Sequence, residues 1–85
     1  MAVFPAQITL QTAPQALVEA RIARTEQGSL LDLSPLVRFD SAALGVLLAL
    51  RREAGSGLRF SGVPANLRTL ASLYGVDALL FADPS

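Results

Sequence analysis

The chain contains no cysteine, histidine or lysine. Without cysteine it cannot form a disulfide, a thiol nucleophile or a thiolate metal site. Without histidine, the usual catalytic triads and zinc or iron sites cannot be assembled, and the acidic residues are too scattered along the sequence to form a hard-cation site. We therefore expect a protein that is not an enzyme and that carries no cofactor or metal ion.

Charge of either sign is also sparse. Charged residues make up 16% of the chain, and seven arginines balance seven acidic residues, so the formal net charge is +0. Because there is no net field to attract an anionic polymer or an anionic lipid surface, we expect neither nucleic acid nor membrane lipid as a partner. This neutral composition favours a protein partner.

Long hydrophobic runs are absent as well. The longest apolar run, Ala42 to Leu50, contains Gly45 and is much shorter than the roughly 20 residues that a membrane-spanning helix needs. The first residues, Met1 to Pro5, lack the basic and apolar regions of a secretory signal. We therefore expect a cytoplasmic protein that does not insert directly into a membrane.

Hydrophobic residues are abundant, at 52% of the 85 residues. This fraction is well above that of disordered chains, while the length suits one hydrophobic core and not two. The sequence therefore predicts one folded domain over residues 1–85.

Helix caps, prolines and glycines divide the chain into alternating helices and strands. Thr12 before Ala13 and Pro14 is typical of a helix start, and Gly28, Gly55 and Gly75 are typical of helix ends. The predicted helices are Ala13–Arg24, Ser41–Glu53 and Ala65–Tyr74, the predicted strands are Ser29–Leu33 and Leu58–Ser61, Ser34–Phe39 is a predicted connection, and Asp77–Phe81 is a predicted last turn. This order predicts an α/β domain with a mixed β-sheet and helices packed mainly on one face.

Two parts of the sequence resemble a known family. The segment Leu30–Ser34, followed by Val37–Leu48, is similar to the signature of STAS domains, the fold of anti-sigma-factor antagonists. In that signature a strand and a loop lead to an Asp-Ser pair that opens a helix, as Asp40 and Ser41 do here. The downstream stretch Phe60–Leu80 most resembles the STAS subunit of the Mla phospholipid-trafficking ABC transporter.

The resemblance implies a function. It implies a non-catalytic cytoplasmic subunit that binds the ATPase subunit of an Mla-type transporter and supports its assembly or activity in outer-membrane lipid asymmetry. Such a subunit would lie peripheral to the inner membrane through the transporter complex. The alternative is an anti-sigma-factor antagonist that binds an anti-sigma-factor kinase and is switched by phosphorylation of Ser41.

The resemblance also raises an expectation about the sheet. STAS proteins usually begin with a fuller β-hairpin, and only Met1 to Leu10 precedes the first helix here. We therefore expect the first strand to be missing or replaced, which would leave one edge of the sheet open.

The helix that follows Asp40 has two distinct faces. If Ala43, Val46, Leu47 and Leu50 face the sheet, the 100° step of a helix places Ser41, Gly45, Leu48 and Arg52 on the opposite side, with Leu44 flanking them. Leucines on an outward face favour a partner surface. The alternative is that the domain's own elements cover this helix on more than one side.

Asp40 and Ser41 also have two interpretations. A hydroxyl at a helix N-terminus is well placed for phosphorylation, because the added negative charge would meet the positive end of the helix dipole. The alternative is that Asp40 caps the helix and Ser41 is only its first residue. The resemblance favours contact of both residues with a partner.

Overall fold

Helices and strands alternate along the chain, in a computed structural model that describes residues 2–55 and 57–81. The order is β1 (Gln7–Ile8), α1 (Ala13–Gln27), β2 (Leu30–Asp32), β3 (Arg38–Phe39), α2 (Ala42–Ala54), β4 (Arg59–Ser61), α3 (Ala65–Leu73) and α4 (Asp77–Phe81). The predicted α/β class is confirmed, as are the three predicted helices and two predicted strands to within a few residues.

Glycines determine where helices α1 and α2 end. Helix α1 runs three residues beyond the predicted Arg24, because nothing in that stretch breaks a helix before Gly28. Gly28 and Gly55 follow α1 and α2 with φ of 85° and 83°, a region in which side chains beyond glycine are strained. Each glycine therefore stops its helix and turns the chain toward the next strand.

The strands pair as two parallel two-stranded ladders, β1 with β3 and β2 with β4. The prediction of a single mixed β-sheet is therefore wrong for the described residues, because both of their strand pairs are parallel and they form separate ladders. In the second ladder Leu31 lies opposite Phe60. The prediction of a plain connection over Ser34–Phe39 is wrong, because it contains β3. The backbone N–H groups of Val37 and Arg38 donate to the carbonyl of Ala6 at 2.9 and 3.1 Å, which brings this segment alongside β1.

One face of the strands is buried and the other is exposed. Ile8 and Leu31 are completely buried, whereas Gln7, Leu30 and Asp32 are exposed. Helix α1 packs against β1 and β2, and α4 packs against β4. This alternation confirms that the helices cover mainly one face of the strands.

The core lies between that buried face and the helices. Helix α2 contributes several of its residues, and α3 contributes Leu67 and Ala71. The large side chains with the least exposure are Phe4, Ile8, Leu31, Leu33, Leu36, Leu47, Leu50, Leu58, Leu67 and Leu80. Tyr74, the predicted last residue of the third helix, instead follows α3, which ends at Leu73, and it is 61% exposed.

The N-terminal residues lie beside β2 without extending the ladder. The Gln27 side chain connects them to the strand, since its amide nitrogen donates to the carbonyl of Ala2 at 3.3 Å and its amide oxygen accepts the N–H of Asp32 at 2.9 Å. Phe4 inserts into the core and is 1% exposed. The first strand, expected to be missing or replaced, is present but short, since β1 has only two residues, and the Gln27 side chain accepts a backbone N–H of β2.

An exposed ion pair joins α1 to α2. Nε of Arg21 lies 3.0 Å from both carboxylate oxygens of Glu53. The hydrogen bond from Arg21 lowers the pKa of the Glu53 carboxyl below its ordinary value, and the same bond raises the pKa of Arg21. The folded state therefore favours the ionised form of Glu53.

Because the pKa of Glu53 is lowered on folding, its contribution to stability is present above the ordinary glutamate pKa and is lost as the pH falls below it. We expect Glu53→Gln to melt at a lower temperature than wild type near neutral pH, with the difference shrinking in acid. Thermal unfolding across this pH range measures it. Glu19→Gln, an exposed glutamate of α1 without an ion pair among residues 2–55 and 57–81, is the control. A difference that stayed constant with pH would contradict the account.

None of the helices in residues 2–55 and 57–81 combines the length and the apolar character needed to cross a membrane.

Candidate partner-binding site

The inward face of α2 is as the sequence predicted. Ala43, Val46, Leu47 and Leu50 are all buried, with exposed fractions of at most 4%. They recur at helical spacing and belong to the buried core, which fixes the rotation of the helix about its axis. That rotation decides which residues of α2 face outward.

Four of the predicted contact residues form one outward stripe on α2. Gly45 and Arg52 are exposed, and Ser41 and Leu48 are partly exposed. Their successive spacings of four, three and four residues place them in one line along the helix. We call this stripe the α2 surface.

Leu44 does not lie on this surface. It lies beside the stripe, as the helical step predicts, but the expectation that it adds an outward leucine is wrong, because only 4% of Leu44 is exposed. Residues seven apart share one side of a helix, so Leu44 lies on the side of Arg51. Arg51 donates to the carbonyl of Leu80 at 3.0 Å, which shows that α4 covers this side of α2. The helix is therefore packed on its flank as well as on its inward face.

Asp40 anchors the beginning of α2. One of its carboxylate oxygens accepts the N–H of Ala42 at 2.8 Å, and the other accepts the N–H of Leu10 at 3.2 Å. Its own N–H donates to the carbonyl of Ile8 at 3.2 Å. The Asp40 carboxylate thus accepts an N–H of the first helical residue, and it also joins the start of α2 to the turn between β1 and α1. The alternative that made Ser41 the first helical residue is wrong, because α2 begins at Ala42 and Ser41 is at the N-cap position.

Ser41 stands at the N-cap position of α2, and its hydroxyl makes no capping hydrogen bond. The cap is provided by the neighbouring Asp40. The Ser41 hydroxyl is therefore not required to hold the helix, and the side chain is partly exposed at the positive end of the helix dipole.

Gly45 leaves a gap in the middle of the α2 surface. No atom lies within 4 Å of the position that a Cβ would take there, and its φ is in the ordinary helical range. Glycine inside a helix is unfavourable by about 0.5 to 1 kcal/mol relative to alanine. Neither the backbone conformation nor the packing of this chain requires glycine at this position, which leaves close approach by another molecule as a reason for it.

Shallow depressions flank the α2 surface on both sides. One separates α2 from the start of α1 and is lined by Ala13, Pro14, Leu17, Ala42, Gly45 and Val46. The other, of about 460 Å³, separates α2 from α4 and is lined by Leu48, Arg51, Arg52, Gly55, Ala78 and Leu79. The sequence pattern did not indicate the α4 residues, although Leu79 is 62% exposed. The short segment Asp77–Phe81 offers too few residues for its periodicity to indicate which side chain stays exposed.

Asp32 has a structural role. It is the last residue of β2, and its carboxylate accepts the backbone N–H and the hydroxyl of Ser34 at 2.9 and 3.0 Å. Gly62, with φ of 61°, packs so closely that a Cβ there would lie 2.6 Å from the Asp32 carboxylate. Asp32 thus ends β2 and holds the turn that follows it.

A comparison with protein families decides the fold family. The model described as "Mlab, STAS domain" matches residues 7–81. The chain is a STAS domain. No curated protein and no solved structure matched the chain.

The family match runs from the first residue of β1 to the last residue of α4. It therefore covers the whole α2 surface together with Asp40 and Leu44. In this STAS domain the Asp-Ser pair lies where the turn after β1 meets the start of α2, and the two depressions extend the exposed stripe on either side.

Proposed function

We propose that this STAS domain is a non-catalytic subunit that binds the ATPase subunit of an Mla-type phospholipid ABC transporter through the α2 surface. In this role it supports the assembly or activity of a transporter that maintains outer-membrane lipid asymmetry. The domain is cytoplasmic and is peripheral to the inner membrane only through the complex. The description of the matching family model supports the assignment to this kind of transporter.

The observation that carries the proposal is the composition of the α2 surface. It combines the small Ser41, the exposed Gly45 and the partly exposed Leu48, and the exposed Arg52 lies at its end. Small and apolar groups lose little on desolvation, so a surface of this kind suits burial against another protein. Asp40 accepts two backbone N–H groups, one from Leu10 and one from Ala42, so the start of the helix is held in place before a partner binds.

The second candidate function is that of an anti-sigma-factor antagonist switched by phosphorylation of Ser41. The specific observation in its favour is the Ser41 hydroxyl, which is partly exposed and makes no capping hydrogen bond. A phosphate there would lie beside the Asp40 carboxylate, and the repulsion would weaken the bond from Leu10 to Asp40. Phosphorylation would thus alter the start of α2.

Co-purification distinguishes the two functions. The tagged domain is expressed in its source organism, and the recovered complex is analysed for the transporter ATPase subunit, for an anti-sigma-factor kinase and for phosphate on Ser41. We expect stoichiometric recovery of the ATPase subunit with unmodified Ser41. Recovery of a kinase with phosphorylated Ser41 would replace the first function with the second, and recovery of neither protein would contradict both.

A further inference from the structure

The depression between α2 and α4 has apolar walls and an open mouth. Leu79 is 62% exposed on α4, and the partly exposed Leu48 faces it from α2. Gly55 ends α2 at the same place and has no atom within 4 Å of its missing Cβ. The space, about 460 Å³, is large enough to take an apolar side chain from another molecule. We call it the α2–α4 groove.

The two arginines that line the groove differ in what they contact. Arg51 is partly buried, donates to the carbonyl of Leu80 at 3.0 Å and lies 5.5 Å from the centre of the Phe60 ring. Arg52 is exposed and makes no hydrogen bond or ion pair with residues 2–55 and 57–81. Arg51 therefore holds α4 in place, whereas the charge of Arg52 is available at the rim.

The acidic residues near the groove in the sequence do not neutralise Arg52. Glu53 is paired with Arg21 on the opposite flank of α2. Asp77, the first residue of α4, forms no ion pair within the described part of the chain. The rim of the groove thus presents a positive charge next to an apolar wall, and its complement is an apolar side chain beside a carboxylate.

We propose that the α2–α4 groove is part of the partner interface and receives an amphipathic segment of the ATPase subunit, with an apolar side chain between Leu48 and Leu79 and a carboxylate paired with Arg52. This inference rests on the proposed function and extends the interface from α2 onto α4. A lipid surface is a poorer fit, because one free arginine on a chain with a formal net charge of +0 attracts anionic membranes weakly.

A pair of leucine substitutions tests the apolar contact. Leu79→Ala should raise the Kd for the purified ATPase subunit about tenfold or more, because an anchor in a pocket contributes far more than a surface contact. Leu73→Ala is the matched control: Leu73 is 78% exposed on α3, does not line the groove, and should change the Kd by less than about twofold. Both variants should melt close to wild type, since both side chains are exposed.

A pair of arginine substitutions tests the charged contact. Arg52→Gln should raise the Kd about tenfold and should also reduce the dependence of Kd on salt concentration, because it removes one charge pair. Arg38→Gln, which changes an exposed arginine of β3 outside the groove, should alter neither. A weaker dependence of Kd on salt concentration would show that Arg52→Gln removes a charge pair, whereas a change of shape alone would raise Kd equally at all salt concentrations.

The possible outcomes are distinguishable. Loss of binding in Gly45→Glu together with wild-type binding in Leu79→Ala and Arg52→Gln would refute the groove and leave the proposed function intact. If the domain self-associates on analytical ultracentrifugation and Leu79→Ala abolishes this without affecting the ATPase subunit, the occupant is a second copy. If Arg52→Gln abolishes binding to phosphatidylglycerol vesicles but not to the ATPase subunit, the groove binds lipid. Either result would overturn the inference.

Discussion

Leu47→Ala is expected to lower the free energy of unfolding by about 2 to 5 kcal/mol. The side chain is completely buried on the inward face of α2. Its truncation therefore removes apolar surface that folding would bury, and it leaves a cavity that the surrounding close-packed core fills only in part. Small domains have only about 5 to 15 kcal/mol of stability in total. The loss is therefore a large share of what holds this domain together.

Chemical denaturation followed by circular dichroism measures the loss. Leu73→Ala is the control, because its leucine is 78% exposed and should change the stability by less than about 0.5 kcal/mol. Equal stability of Leu47→Ala and wild type would mean that α2 does not pack with this face inward, and the assignment of the α2 surface would be wrong.

Gly45→Glu is expected to weaken binding to the ATPase subunit by about 2 kcal/mol or more, which is a roughly 30-fold increase in Kd. The new side chain would fill the gap in the centre of the α2 surface and carry a charge that must lose its water on docking. The fold should not suffer. No atom lies within 4 Å of the new Cβ, and glutamate favours a helix more than glycine does.

The matched variant Gly45→Ala shows how much of the effect comes from losing the glycine and how much comes from the size and charge of the glutamate. It should stabilise the domain by about 0.5 to 1 kcal/mol and should weaken binding less than Gly45→Glu does. Titration calorimetry gives the Kd, and thermal unfolding gives the stability. If Gly45→Glu is folded and binds as wild type does, the α2 surface is not part of the interface. A large fall in its melting temperature would show that this position is packed against the rest of the domain.

The sequence was sufficient to place the inward face of α2. Ala43, Val46, Leu47 and Leu50 recur with helical periodicity between an Asp-Ser start and a glycine stop, and local pattern determines both the helix and its rotation. Leu44 was misplaced for a physical reason. Its burial depends on α4 packing against the flank of α2, and no periodicity within α2 contains that information.

Two further features depend on contacts between distant segments. Strand β3 has two residues, Arg38 and Phe39, and it exists because backbone groups pair with β1, which side-chain alternation over so short a stretch cannot reveal. The α2–α4 groove requires the relative position of two helices separated by β4 and α3 in the sequence. The predicted last turn over Asp77–Phe81 carries no information about which of its side chains stay exposed.

NMR cross-saturation from the unlabelled ATPase subunit to the labelled domain tests the central claim most directly, because it maps the interface without changing a residue. The account predicts the strongest saturation transfer to the amides of Ser41, Gly45, Leu48 and Arg52, and little transfer to the exposed strand face that carries Gln7 and Leu30. Saturation concentrated on that strand face, with none along α2, would contradict it.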